Sequence, residues 1–280
     1  MSVLLLADTS NVYALDCTKA SSPVEKLICS TPELKRTDEA MSSAYFKLLR
    51  ETPDPDFHEA LIRSQQRWLK ERSYGPDRFG QAEGDTTDDR KILLKMTRER
   101  LTFLRTAEPI HMLELQRKIA SEDGSSTFAG YKTYCVLQPP PYGGWNYECW
   151  GETLRQHNDR ICSSAMSWAS GHMTEHRAVS VLKNGEPKIV ATCSTGYDTT
   201  SERCPEPNAD VWTKLDAHWN TTPDPSEPLP TSHVSDLWKF DPDIDPSATD
   251  REWMHDCLFS TTYPPPEVSR PSSKSDASGR

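Results

Sequence analysis

His172-Met173-Thr174-Glu175-His176 has the residue types and order of a catalytic metal motif. In H-x-x-E-H, two histidines one helical turn apart grip zinc and the glutamate acts as base. Glu252 lies downstream at a distance suited to a third ligand. The chemistry requires a sustained amphipathic helix. Gly171 precedes the motif and a strand pattern begins at Ala178, so the expectation is solvent-exposed histidines on a loop or short helix, without metal. A zinc hydrolase built on His172, Glu175 and His176 is kept as the most distant alternative. Asp241, Asp243 and Asp245 alternate with Pro242, Ile244 and Pro246. Such carboxylates can ligate calcium, but the glycine turn and closing glutamate of an EF-hand loop are missing, so a solvated acidic loop is expected. No Gly-x-Ser-x-Gly, phosphate-cradling glycine loop or Gly-x-Gly-x-x-Gly is present. No catalytic residue, enzymatic activity or cofactor is expected.

The remaining reactive side chains are cysteines: Cys17, Cys29, Cys135, Cys149, Cys162, Cys193, Cys204 and Cys257. Their number is even and no pair has the C-x-x-C spacing of zinc or thioredoxin sites, so disulfides in an oxidising compartment are expected. That disfavours a cysteine nucleophile. The 280 residues suit two modest domains, yet only 35% are hydrophobic and the mean hydropathy is −0.71. A chain this polar needs covalent staples to hold its core. No apolar run approaches a membrane span. The net charge of −10 opposes general nucleic-acid binding, because acidic surfaces repel phosphate.

Residues 15–105 read as helical. Thr31-Pro32-Glu33 places a cap before a proline at the first helical position, and Leu34, Met41, Tyr45 and Leu48 mark one buried stripe. Pro53 and Pro55 break that helix. A second runs from Asp56 to Arg72 and buries Phe57, Leu61, Trp68 and Leu69; a third, capped within Thr86–Asp89, carries Leu93, Met96, Leu101 and Leu104. Short connections favour an antiparallel bundle or hairpin. A further helix at Pro109–Glu122 and a linker bring the chain to residue 127.

From 128 to 263 the segments are short and aromatic, and this stretch holds six of the eight cysteines and seven of the eight tryptophans. Tyr131–Leu137 has the pattern of a strand. Asn184-Gly185 between Ala178–Leu182 and Lys188–Cys193 is a strong hairpin signal. A small disulfide-rich α+β or β-rich domain is therefore expected, followed by a disordered tail at 264–280. Residues 15–105 hold 17 basic and 16 acidic residues and residues 106–280 hold 15 and 25, so the acidic surplus belongs to the second half. Residues 1–14 have the apolar core and small-residue cleavage site of a truncated or atypical signal segment.

The helical region resembles the LprI-like family, bacterial cell-envelope proteins named for a lipoprotein that inhibits lysozyme. Asp16-Cys17, Lys19-Ala20, Pro23-Val24-Glu25-Lys26 and Ile28-Cys29 carry the likeness, followed by Pro32-Glu33-Leu34, Asp38, Met41 and Tyr45. A second block is Gln65, Trp68-Leu69 and Glu71-Arg72, and a third is Leu93, Thr97, Arg100 and Leu104. Relatives carry a second cysteine pair near the positions of Gly75 and Ile92, and both cysteines are missing here. The resemblance thus implies that Cys17 pairs with Cys29, and that the Tyr74–Asp85 loop is looser than in relatives. The six later cysteines leave 15 pairings open.

The motif residues Asp16, Lys19, Glu25, Tyr45, Gln65, Trp68, Arg72 and Arg100 are read as structural. Trp68 and Arg72 lie four apart on one helical face, so the indole belongs in the core with the guanidinium stacked on it or holding a carboxylate. Tyr45 is expected in the core with its hydroxyl at the edge. The resemblance implies a periplasmic, cell-envelope or secreted bacterial protein that occludes a lysozyme-type or other peptidoglycan hydrolase. A cationic partner would suit the acidic second half. The alternative is a periplasmic immunity or interaction module for a specific toxin.

Overall fold

The computed structural model describes residues 15–74, 88–124, 127–138, 146–169, 172–195, 204–205, 217–224, 237–246 and 251–264. The expected signal segment 1–14, nearly all of the Tyr74–Asp85 loop and the tail from residue 265 lie outside the described residues.

Among the described residues five helices come first: α1 (Pro23–Ser30), α2 (Pro32–Glu51), α3 (Pro55–Ser73), α4 (Asp89–Arg105) and α5 (Glu108–Asp123). Each of the first three has proline in its first turn, where the missing N–H lacks an intrahelical partner anyway. The first of them, α1, spans only eight residues. Ser22 accepts from the Glu25 amide while the Glu25 carboxylate accepts from the Ser22 amide, a reciprocal cap that starts the helix despite its length. Asp54 and Asp88 cap α3 and α4 with their carboxylates. Val24, Ile28 and Leu34 pack with Ile92, Leu93, Met96 and Leu137, and Cys17–Cys29 ties the entry of α1 to its end.

The second half is mostly β, with a five-stranded antiparallel sheet in the order β1 (Gly130–Gln138), β2 (Asn146–His157), β3 (Arg160–Ala169), β4 (His172–Lys183), β5 (Glu186–Thr195). The Asn184-Gly185 hairpin forms between β4 and β5, and both residues have positive φ (56° and 83°). That geometry suits the right-handed twist of the flanking strands. Asn158, at φ 51°, turns β2 into β3 without a glycine. Helix α6 (Arg251–Phe259) is joined to β3 by Cys162–Cys257, and Cys193–Cys204 lies in the same core with Val179, Ala191, Trp219, Trp253 and Leu258. Cys135–Cys149 completes four disulfides, and no free cysteine remains.

The described residues group into two compact units that interleave along the chain. One comprises 15–74, 88–114, 134–138, 146–149 and 241–244; the remainder forms the other. The shift in composition places a single boundary between 106 and 127. The structure instead gives the ends of the first two strands and the Asp241–Ile244 segment to the helical unit.

Candidate functional site

The Asp241–Ile244 segment belongs to the helical unit because its carboxylates meet buried arginines there. Helical spacing on α3 puts Ser64, Arg67 and Trp68 near one face, and Arg100 comes from the buried face of α4. Arg67 donates from Nη2 to Asp241 Oδ1 at 2.6 Å and to Asp243 Oδ2, with Nε reaching the same Asp243 oxygen at 3.2 Å. Arg100 donates to Asp243 Oδ1 at 3.3 Å and to the Ser64 hydroxyl at 2.7 Å, and Ser64 donates in turn to Asp243 Oδ1 at 2.8 Å. The third nitrogen of Arg100 donates to Gln65 Oε1 at 3.0 Å. Asp241 and the Asp243 side chain are almost wholly buried. The expectation of a solvated acidic loop is overturned for Asp241 and Asp243, while Asp245 is exposed: burying two carboxylates is costly in itself, and two guanidiniums from different helices offset that cost.

Electrostatics follows from the geometry. Burial pushes the Asp243 carboxyl up, but Arg100 and Arg67 pull it further down, leaving it below the usual carboxylate range. Arg67 is desolvated, yet Asp243 and Asp241 raise its pKa above the ordinary arginine value. The buried Tyr147 phenol is pushed up by desolvation and by Asp243, against the opposing arginines. Asp243 is thus held ionised near neutral pH, facing a charged Arg67.

The family-motif residues surround this cluster or stiffen its helices. Trp68 is 1% exposed, with the Arg72 guanidinium 5.0 Å from its ring centroid and bonded to the buried Asp38. Gln65 joins Arg100 to Met41 through its amide. Tyr45 is buried in the core as expected of its ring, and desolvation pushes its pKa up to about 12. Asp16 accepts from the amide and hydroxyl of Thr18 and pairs loosely with Lys19 at 3.6 Å, all exposed. Glu25, held down by the Ser22 and Ser21 amides, serves the α1 cap.

The H-x-x-E-H stretch lies on strand β4. The expected loop or short helix is thus corrected. Four residues of strand separate His172 and His176 by roughly 13 Å, where a helical turn would bring them together. Glu175 points to the opposite face from His176, holding Arg177 through two 2.8 Å bonds and accepting from Ser164. His176 Nδ1 sits 2.9 Å from the Ser194 hydroxyl. The three do not converge as a zinc site. Among the described residues, Cys135, Cys149 and Asp243 do lie close, with ligand atoms within 4.8 Å. The two sulfurs are bonded to each other, and Asp243 is held by arginines.

Sequence reasoning missed Ser64, Arg67 and the pairing of Asp38, Asp241 and Asp243 with arginines. Ser64 and Arg67 carried a signal, since both share the face of Trp68; Asp241 and Asp243 lie 174 to 179 positions away from them and carried none. On the same unit, Arg98, Glu99, Thr102, Phe103, Thr106 and Glu108 line an open depression of about 440 Å³. It offers surface for contact but no nucleophile-base pair.

A capped helical segment with a Cys17–Cys29 clasp and a buried Trp68–Arg72–Asp38 cluster defines a small disulfide-bonded helical module. Residues 17–108 of the chain match the model of the family described as Lysozyme inhibitor LprI. Comparison with curated proteins and with solved structures gave no match.

Proposed function

We propose that the protein is a bacterial cell-envelope binding protein that occludes a lysozyme or another peptidoglycan hydrolase without turnover. The observation that carries this is the family match over residues 17–108. Four disulfides suit an oxidising compartment outside the cytoplasm, and no helix among the described residues is long and apolar enough to cross a membrane. The acidic surplus beyond residue 105 would speed capture of a cationic hydrolase.

The decisive experiment measures bacterial cell-wall lysis by c-, g- and i-type lysozymes while the oxidised protein is titrated in at low salt. Stoichiometric inhibition of one enzyme supports the proposal. No effect on any, with a folded sample and all disulfides formed, rejects host-type lysozymes as targets.

The five-stranded sheet lies beyond the family match, and this favours a second reading in which that part recognises a specific toxin. Cutting the chain at residue 128 does not separate the two, because it strips Asp241 and Asp243 from Arg67 and Arg100. Exposed aromatics on the intact chain do. Tyr74 and Tyr134 belong to the helical unit, and Trp238 and Phe259 to the other. Aromatic anchors dominate interface energetics, so the pair whose alanine variants lose binding marks the recognising unit.

A further inference from the structure

We infer that Ser64, Arg67 and Arg100 form a binding site for an Asp-x-Asp peptide, a site that the chain's own Asp241 and Asp243 fill. This goes beyond hydrolase inhibition and stands independently of it. The cationic half of the cluster lies wholly within the family segment 17–108, while both carboxylates come from far outside it. One stretch of chain builds the receptor and a remote stretch supplies the ligand. The receptor has a defined shape: Arg67 spans both carboxylates, Arg100 and Ser64 converge on Oδ1 of Asp243, and Gln65 fixes the Arg100 fork from behind. Guanidiniums from two helices thus recognise two carboxylates at one fixed separation.

The ligand is organised by its own local chemistry. Asp241 Oδ1 accepts from the Asp243 amide at 3.0 Å, and the Asp241 carbonyl accepts from the Ile244 amide at 3.2 Å. Pro242 stands at the second position of this turn, where its fixed φ favours the bend. Both bonds of the Asp-Pro-Asp-Ile turn are made by its own atoms. A short peptide of this pattern carries much of its bound shape with it, which lowers the entropic cost of binding in trans. Any segment presenting Asp-x-Asp in such a turn competes for the site.

The test uses the full-length, oxidised Asp241→Asn/Asp243→Asn variant and a fluorescent peptide spanning Lys239 to Pro246, followed by anisotropy. The peptide should bind the variant at least about tenfold more tightly than it binds the wild-type chain, whose site is filled. The same peptide with both aspartates changed to asparagine should bind the variant at least about tenfold more weakly than the Asp peptide. Adding Arg67→Gln to the variant should abolish the difference between the peptides. Equal binding of the two peptides, or equal binding to variant and wild type, overturns the inference. If the double variant does not fold alone, it is refolded with either peptide present. Recovery with the Asp peptide only upholds the site, and equal recovery or none overturns it.

Discussion

Asp243 is a single carboxylate whose charge two helices depend on. Its folded pKa lies below the unfolded value near 3.9, so its contribution to stability is complete above that value and is lost as pH falls through the folded pKa. Asp243→Asn keeps the shape but removes the charge. It should destabilise the protein by about 3 kcal/mol at neutral pH, because Arg100 stays buried without its counter-ion and Arg67 keeps only Asp241. It should also flatten the loss of stability below about pH 4. Urea midpoints measured from pH 7 down to pH 3 check both. Trp68→Ala empties the largest fully buried side chain and should cost about 3–5 kcal/mol, read from the same denaturation curves. The identities of Trp68, Arg72 and Arg100 as inward-facing residues were legible from helical spacing. Their carboxylate partners were not, since Asp38 and Asp243 come from other elements and periodicity speaks only of a residue's own helix.

At the scale of elements, α1 shows how local signals add up. A reciprocal Ser22–Glu25 cap, a proline at N1 and a disulfide across 12 residues hold eight residues in helix. Changing Cys17 and Cys29 together to serine should cost about 3 kcal/mol in the chain-entropy model. Hydrogen exchange should then rise first at the amides of α1, with the sheet unaffected. Strand β4 teaches the opposite lesson. His-Met-Thr-Glu-His-Arg has no strand alternation of apolar residues, yet it pairs along its length with β3 and, from Glu175, with β5. Neighbouring strands satisfy its backbone, so tertiary pairing overrides weak local preference. The geometry predicts that added zinc leaves the thermal unfolding of the protein unchanged, and that His172→Ala has no effect on bound metal as measured by elemental analysis. The close approach of β1 and β2 is set by one glycine. A Cβ on Gly151 would lie 1.9 Å from the Lys132 carbonyl oxygen, so Gly151→Ala should lower stability by about 2 kcal/mol or more, seen as a reduced Tm.

For the whole molecule, the proposed capture of a cationic hydrolase would rest on charge. The net charge of −10 sits almost entirely beyond residue 105. Inhibition of a cationic hydrolase should therefore weaken with salt, by about tenfold in association rate between low and physiological ionic strength, with a smaller change in dissociation rate. Stopped-flow or surface-binding kinetics at several salt concentrations would show it. Salt-independent association would leave the acidic surplus without a part in capture.

The chain's own residues determined the helical register, the caps, the Asn184-Gly185 hairpin and the disulfide-stapled character of the second half. Each depends on neighbours a few positions apart or, for the cysteines, on number and spacing. Residue patterns also carried the family resemblance of the helical segment. The tertiary structure alone decided which cysteines pair beyond Cys29, that H-x-x-E-H runs along a strand, and that Asp241 and Asp243 lie buried against Arg67 and Arg100. An acidic loop and a pair of inward-facing arginines each have an ordinary solvated state when taken singly. Only folding brings them close enough for one charge to offset the desolvation of the other.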